Sequence, residues 1–163
     1  MSGQINCRYS TLLKANGLFD IEKWLDVRGN HDSFIHYPNE HPYKRHTVCG
    51  SAIGSSVFSK TFQTDGGPLR FIGIDANRPL LRHFNGFLLK EDLDILEDLL
   101  LNDSMPTILF SHFPIFSLDM RERSSRNHSF KDILRIYRPR YYLCGHMHSA
   151  LGGMIVSYLV CLP

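Results

Sequence analysis

The sequence predicts a single α/β domain, and three observations support this fold class. A length of 163 residues is typical of one domain with a sizeable core. Short apolar runs of strand length alternate with segments of helical spacing. Three of the short runs end in Gly or Ser followed by a turn that carries a histidine. Because layered α/β folds bind ligands at the carboxyl ends of their strands, we expect these three turns to converge on one site.

The N-terminal third of the chain predicts a helix, a strand and a loop. Tyr9 to Ala15 carries apolar residues near helical spacing, and Gly17 is placed to cap the end of this helix. Trp24 to Val27 predicts a strand that leads into the first histidine turn. Residues 33–56 are rich in Ser, Gly, His and Pro, which is typical of a loop.

A β-hairpin is predicted next. Val57 to Phe62 and Leu69 to Ile74 have the composition of strands. They lie on either side of Asp65-Gly66-Gly67, which is a hairpin signal. The second strand ends in a polar break, Asp75-Ala76-Asn77.

The C-terminal half predicts helices alternating with short strands. Lys90 to Leu101 is expected to be a helix because its leucines recur at i, i+3, i+6 and i+7. Thr107 to Phe110 is a short buried strand that leads into the second histidine turn. Lys131 to Tyr137 predicts a short helix, which Pro139 stops. Tyr141 to Cys144 is a strand that leads into the third histidine turn.

Composition limits the class of partner. The net charge of +2, from 18 basic and 16 acidic residues, is too balanced to indicate a nucleic-acid or membrane-surface partner. Residues 1–6 lack the pattern of a signal peptide. No run approaches the roughly 18–20 apolar residues of a membrane helix, and the apolar tail from Met154 to Leu162 is expected to be a buried strand. The four cysteines form no C-x-x-C pair and are expected to be reduced, buried thiols.

The three histidine turns contain the residue types of a two-metal phosphoesterase site. They are Gly29-Asn30-His31-Asp32, Ser111-His112-Phe113-Pro114 and Cys144-Gly145-His146-Met147-His148. Four of their side chains offer ligand atoms suited to divalent Zn, Fe or Mn: Asn30, His112, His146 and His148. The last two are two residues apart and can face the same side of an extended segment. Gly145 is expected to give the backbone room to approach the ion.

His31 and Asp32 are predicted to be catalytic residues beside the metals. His31 is placed to stabilise charge on a transferring phosphoryl group or to protonate the leaving oxygen. Asp32 would hold the His31 ring in one tautomer and raise its basicity.

Each motif also has a structural interpretation. The first turn alone is compatible with an Asx-type hydrogen bond, and a lone histidine after a buried strand is often structural. The polar loop from Ser117 to His128 carries three arginines, which we interpret as a solvated surface, with a clamp for a substrate phosphate as the alternative: Arg121, Arg123 and Arg126. The remaining histidines are interpreted as ordinary loop residues: His36, His41, His46, His83 and His128. The occurrence of the three motifs in order favours a functional site.

In that order the motifs resemble the downstream half of the calcineurin-like metallophosphoesterase signature. The stretches W-L-D-V-R-G-N-H-D-S-F and Y-L-C-G-H-M-H-x-x-L-G-G are similar to the transmembrane protein 62 type of this superfamily, whose members are multi-pass membrane proteins with a phosphoesterase domain. The resemblance covers residues 24 to about 154. It implies a four-layer α/β/β/α sandwich in which two divalent ions and a hydroxide hydrolyse a phosphomonoester or phosphodiester. It further implies that Asn30, His112 and His146 bind one ion and His148 the other, with His31 facing the phosphate and Asp32 as its partner.

The sequence departs from the family pattern upstream of the first turn. The D-x-H and G-D-x-x-D motifs that precede G-N-H-D in the family are absent from residues 1–28. We therefore expect residues 1–163 to be one incomplete phosphoesterase domain, truncated at both ends, with impaired hydrolysis of its phosphate-ester substrate. Such a chain is expected to be marginally stable alone and to bind at most one metal ion weakly. Its parent protein is expected to reach the membrane through segments absent from this chain. The alternative is a non-catalytic binding or scaffolding remnant of a membrane-associated protein.

Overall fold

A mixed β-sheet forms the centre of the structure, a computed structural model that describes residues 25–30, 55–77, 85–101 and 105–147. In chain order the strands are β1 (Val57–Thr64), β2 (Gly67–Ile74), β3 (Gly86–Phe87), β4 (Thr107–Ser111), β5 (Leu118–Asp119) and β6 (Tyr141–Cys144). The helices are α1 (Lys90–Leu101) and α2 (Phe130–Tyr137), with a 3-10 turn at Ile115–Ser117. The sheet has the strand order β1-β2-β4-β6, and β3 pairs with β5 separately.

The predicted hairpin is confirmed as an antiparallel pair of β1 and β2 joined by Asp65 and Gly66. Both strands continue two residues closer to the turn than the sequence predicted, because the ladder extends to the pair Thr64 and Gly67. The Thr64 hydroxyl donates to the Gly67 carbonyl oxygen at 2.6 Å. Gly67 has φ = 101°, which side chains rarely adopt, so a glycine is required at this position.

The carboxyl ends of β2, β4 and β6 lie at one edge of the sheet. These three strands are parallel, and Ile74 is in register with Ser111, which is in register with Cys144. Segments that contain α1 and α2 connect β2 to β4 and β4 to β6. Parallel neighbours need such crossover connections. The residues that directly follow these three strands therefore lie at the same edge of the sheet.

One face of the sheet packs against both helices and forms the core. The sheet contributes Val57, Ile72, Ile74, Leu109 and Tyr142, and the helices contribute Leu93, Leu96, Leu100, Phe130, Ile133 and Leu134. Full burial of each large aliphatic or aromatic side chain stabilises the fold by roughly 1.5–3 kcal/mol. The leucines that predicted α1 are thus the residues that attach it to the sheet, and the α/β class is confirmed.

Both predicted helices in the C-terminal half are confirmed. The bounds of α1 agree with the prediction, whereas α2 begins one residue earlier, at Phe130. The earlier start follows from a capping box: the Ser129 hydroxyl accepts from the Asp132 N–H, and the Asp132 carboxylate accepts from the Ser129 N–H. At the other end Arg138 adopts φ = 49° and Pro139 follows, which ends the helix.

Two predictions about local structure are wrong. Trp24 to Val27 was expected to be a strand, but the described part, residues 25–27, has no regular secondary structure. Arg28, which follows directly, contacts Asp75 and Asn77 after the end of β2. The polar loop from Ser117 to His128 begins at the last residue of the 3-10 turn and includes β5, whose partner β3 lies about 30 residues upstream and is too short to give a pattern. Three further predicted elements lie outside the described residues: the helix at Tyr9 to Ala15, most of the loop at 33–56, and the tail strand.

The opposite face of the sheet is also apolar. Its apolar side chains are Phe58, Phe62, Leu69, Phe71, Ile108, Phe110, Tyr141 and Leu143, and Lys60 lies on the same face, over the Phe62 ring. Phe71, Phe110 and Leu143 line a cleft of about 330 Å³ together with Leu25. A four-layer sandwich would place a second sheet against this face. The described residues form this four-stranded sheet, one helical layer and the separate two-stranded pair of β3 and β5, so the four-layer arrangement stays a prediction.

Candidate functional site

The second and third histidine turns leave the sheet side by side. β4 and β6 are parallel neighbours whose last residues, Ser111 and Cys144, are in register. His112 follows β4 directly, and His146 lies two residues after β6. The Gly145 N–H donates to the His112 carbonyl oxygen at 3.0 Å, which joins the two turns.

Asn30 contacts this pair at a single ring nitrogen. His112 Nε2 lies 2.8 Å from Asn30 Oδ1 and 3.1 Å from His146 Nδ1. Asn30 is buried, with 6% of its surface exposed, and both histidines are half-buried. The fold therefore brings three of the four predicted metal ligands together from an irregular segment and two turns that are distant in sequence.

Two separations in this cluster, from His112 Nε2 to Asn30 Oδ1 and to His146 Nδ1, are hydrogen-bond distances that also suit ligands of one divalent ion. A metal–ligand distance of about 2.1 Å places adjacent ligands of one ion about 3 Å apart, which matches the separations around His112 Nε2. Imidazole nitrogens and an amide oxygen are ligands that Zn, Fe and Mn accept. Within the described ranges, no group of three or more His, Cys, Asp or Glu side chains could hold a metal. The cluster contains two histidines and an asparagine.

A buried tyrosine holds the turn that carries His112. The Tyr142 hydroxyl donates to the carbonyl oxygen of Phe113 at 2.7 Å, and Tyr142 is 5% exposed. Burial raises the pKa of Tyr142, so the phenol stays neutral and remains a donor. The buried Phe113 ring packs against the His146 ring, with 4.9 Å between the centroids. Tyr142 and Phe113 thus restrain both histidines from the core side.

His146 has an unusual backbone conformation, with φ = 74°. A left-handed conformation costs a residue with a side chain roughly 1–2 kcal/mol, although histidine adopts it more readily than most. The result is a ring that stands edge-on to His112, with centroids 5.0 Å apart and planes at 81°. A Cβ atom at Gly145 would lie 3.7 Å from His112 Nδ1, an ordinary contact. Protein neighbours therefore leave space at Gly145, and its role toward an ion stays a prediction.

The sequence interpretation missed the residues that contact Arg28, two residues before Asn30. Arg28 Nη2 lies 3.1 Å from Asp75 Oδ2 and donates to the Asn77 carbonyl oxygen at 3.0 Å. The sequence predicted only a polar break at Asp75-Ala76-Asn77. A stronger signal was available, because a polar residue directly after a parallel strand lies at the same edge as the histidine turns.

The arginine loop is paired with acids of this chain. Arg121 contacts Asp119 at 2.5 Å, Arg126 contacts Asp98 at 2.8 Å, and Arg123 lies 3.5 Å from Asp132. The hydrogen bond from Arg121 lowers the pKa of Asp119, so this pair is ionised at neutral pH. These contacts support a solvated, self-paired surface over a clamp for a substrate phosphate.

His128 is not an ordinary loop residue, which corrects the sequence interpretation. Its Nδ1 lies 2.5 Å from Oε1 of Glu97, a fully buried residue of α1, which also accepts from the Tyr137 hydroxyl at 3.0 Å. Burial raises the pKa of Glu97, but hydrogen bonds from Ser124, His128 and Tyr137 outweigh it, and the net pKa lies below its usual value. This contact leaves no local pattern in the sequence, because Glu97 and His128 are 31 residues apart.

Cys144, two residues before His146, is a free thiol as predicted, but it is half-buried where burial was expected. Burial raises the pKa of Cys144, which favours the neutral thiol. The other three cysteines lie outside the described residues: Cys7, Cys49 and Cys161. The same holds for three predicted site residues, His31, Asp32 and His148, and for four of the predicted loop histidines, His36, His41, His46 and His83.

Comparisons with known proteins agree with the motifs. A family model for calcineurin-like phosphoesterases matches residues 2–150. The chain is 28% identical over 156 residues to transmembrane protein 62 of Mus musculus. That alignment covers 90% of this chain and 23% of the mouse protein, so the chain spans about a quarter of its relative's length. No solved structure matched the chain. None of the helices within the described ranges is long and apolar enough to cross a membrane.

Proposed function

Because this chain belongs to the calcineurin-like phosphoesterase family, we propose that its site serves the metal-dependent hydrolysis of a phosphate ester. The observation that supports this most directly is the meeting of Asn30, His112 and His146 around one ring nitrogen. Ligand atoms from two separate segments, Asn30 Oδ1 and His146 Nδ1, each lie within about 3 Å of His112 Nε2, a separation that suits ligands of one ion.

In this proposal Asn30, His112 and His146 hold one divalent ion, and His148 belongs to a second. Mn, Fe and Zn suit this set of nitrogen and oxygen ligands. A bound divalent ion would supply Lewis-acid polarisation of the phosphoryl group. The protein side chains would then fix the orientation of the ester at the edge of the sheet.

His31 is proposed to protonate the leaving oxygen or to stabilise charge on the transferring phosphoryl group. It follows Asn30 directly in the chain. Asp32 is proposed to hold the His31 ring in one tautomer. Removal of a general acid of this kind costs typically about 10²–10⁴-fold in rate.

A second candidate is a non-catalytic binding module. It is favoured by the composition of the cluster, which among the described residues contains no carboxylate close enough to complete a group of metal-binding side chains. We also propose that hydrolysis by this chain is impaired and that its partner is a phosphate ester. A further proposal is that a longer protein containing this domain associates with a membrane. The last draws on the name of the mouse relative.

Turnover with added Mn²⁺ distinguishes the two functions. The substrates are p-nitrophenyl phosphate and its bis-ester, and the variants are His31→Ala and, as a control, the exposed Arg121→Ala. Circular dichroism verifies that each variant is folded. We expect weak, metal-stimulated turnover that is lost in His31→Ala and kept in Arg121→Ala. A folded chain with no turnover at any Mn²⁺ concentration would support the binding module.

A further inference from the structure

The segment that carries Asn30 is fastened to the end of β2 by Arg28, Asp75 and Asn77, which we call the β2-end clamp. The Arg28 guanidinium lies 3.1 Å from the Asp75 carboxylate and donates to the Asn77 carbonyl oxygen at 3.0 Å. In return, the Asn77 side-chain amide donates to the Arg28 carbonyl oxygen. Both the side chain and the backbone of Arg28 are therefore held.

The clamp is buried and its acid is itself fixed. The side chains of Arg28 and Asp75 are 12% and 3% exposed. A buried guanidinium requires a paired charge, which Asp75 supplies. Asp75 Oδ1 accepts from the Asn77 N–H at 3.0 Å, and the Asp75 N–H donates to the Ser56 carbonyl oxygen at 2.7 Å. The carboxylate consequently has one position relative to the sheet.

The clamp and His112 begin from the same edge of the sheet. Asp75 follows Ile74, the last residue of β2, and Ile74 is in register with Ser111, which precedes His112. Arg28 precedes Asn30 by two residues in a segment that has no strand ladder. The contacts of the clamp thus hold this segment at the edge of the sheet, as ladder pairing holds β4 and β6.

We propose that Asp75 is a positioning residue that acts through Arg28 to hold the Asn30 side chain at the ion site and so sets the metal affinity. This inference rests on the proposed function, because it assigns Asn30 to an ion. Partners that orient metal ligands typically change metal affinity by about 10- to 100-fold when they are mutated. We expect a loss of this size when the Asp75 charge is removed.

The test is a thermodynamic cycle with Mn²⁺ on the full chain. Asp75→Asn is measured alone and in the Asn30→Ala background. We expect Asp75→Asn to weaken Mn²⁺ binding about 10- to 100-fold, and to have little further effect once Asn30 is Ala. Asp132→Asn removes a carboxylate from the capping box of α2 and is the control, with Mn²⁺ affinity unchanged. If Asp75→Asn does not fold, Asn77→Ala takes its place in the cycle. It removes the side-chain amide that donates to the Arg28 carbonyl oxygen and leaves the buried charges of Arg28 and Asp75 paired.

Two results would overturn the inference: unchanged Mn²⁺ affinity in Asp75→Asn, or an equal loss in both backgrounds. If the unmodified chain or the Asn30→Ala background binds no Mn²⁺, a long-range ¹H–¹⁵N spectrum of the metal-free chain decides. There we expect Asp75→Asn to shift the His112 Nε2 resonance, because its contact with Asn30 is loosened, and an unshifted resonance would refute the role of Asp75. An unmodified chain that binds no Mn²⁺ would count against the proposed function, whatever the spectrum shows.

Discussion

Tyr142→Phe removes a single oxygen atom from beneath the candidate site. The Tyr142 hydroxyl donates to the Phe113 carbonyl oxygen at 2.7 Å, and this bond lies in the core next to His112. Phenylalanine keeps the ring and therefore the packing against Phe130, whose centroid is 6.1 Å away. The substitution isolates the hydrogen bond.

The cost follows from the burial of both groups. Tyr142 is 5% exposed and Phe113 is 1% exposed, so water does not readily replace the lost donor. A buried carbonyl that loses its partner costs about 1–3 kcal/mol, more than the roughly 1 kcal/mol of an average hydrogen bond. At about 2–4 °C per kcal/mol for a chain of this length, the melting temperature should fall by about 2–12 °C.

Chemical and thermal denaturation measure this loss directly. The matched control is Tyr141→Phe, which removes a hydroxyl from the neighbouring residue on the opposite face of the sheet, where Tyr141 is 43% exposed. We expect the control to change the free energy of unfolding by less than about 0.5 kcal/mol. Equal effects of the two substitutions would show that the bond to Phe113 does not hold the turn.

Two further predictions concern Glu97 and the glycines. The pKa of Glu97 lies below its ordinary value of 4.5 in the folded chain, so the ionised form stabilises the fold above that pH and the contribution is lost as the pH falls through the folded pKa. Urea denaturation should therefore show that Glu97→Gln has a lower free energy of unfolding than the parent at neutral pH. On acidification below about pH 5, the variant should lose less of its free energy of unfolding than the parent does. An equal loss in the two proteins would contradict this. Gly86→Ala places a Cβ atom 2.6 Å from Phe113 and should cost about 1–3 kcal/mol in thermal denaturation, whereas Gly145→Ala, with 3.7 Å to its nearest neighbour, should cost less, and equal losses would refute the packing argument.

Most of the described strands and helices were predictable because their signals are local. The hairpin follows from Asp65-Gly66, which the ladder closes at Gly67. The bounds of α1 follow from leucines that pack on the sheet. β3 and β5 were not predictable, since a two-residue ladder between distant segments leaves no periodicity.

The candidate site was predictable only where it follows strand ends. His112 and His146 meet because β4 and β6 end in register, which the apolar runs before them indicate. The clamp on Asn30 depends on Arg28 and Asp75, which are 47 positions apart, and their pairing is a property of the fold. The same reason explains why the contact of His128 with Glu97 was missed.

Calorimetric titration of the metal-free chain with Mn²⁺ or Zn²⁺, for the parent and for His112→Ala, is the most direct test of a shared ion at Asn30, His112 and His146. We expect at most one weak site in the parent and its loss in the variant, because His112 Nε2 is the atom at which the other two meet. Two tight sites in the parent, or binding that is unchanged in His112→Ala, would contradict it.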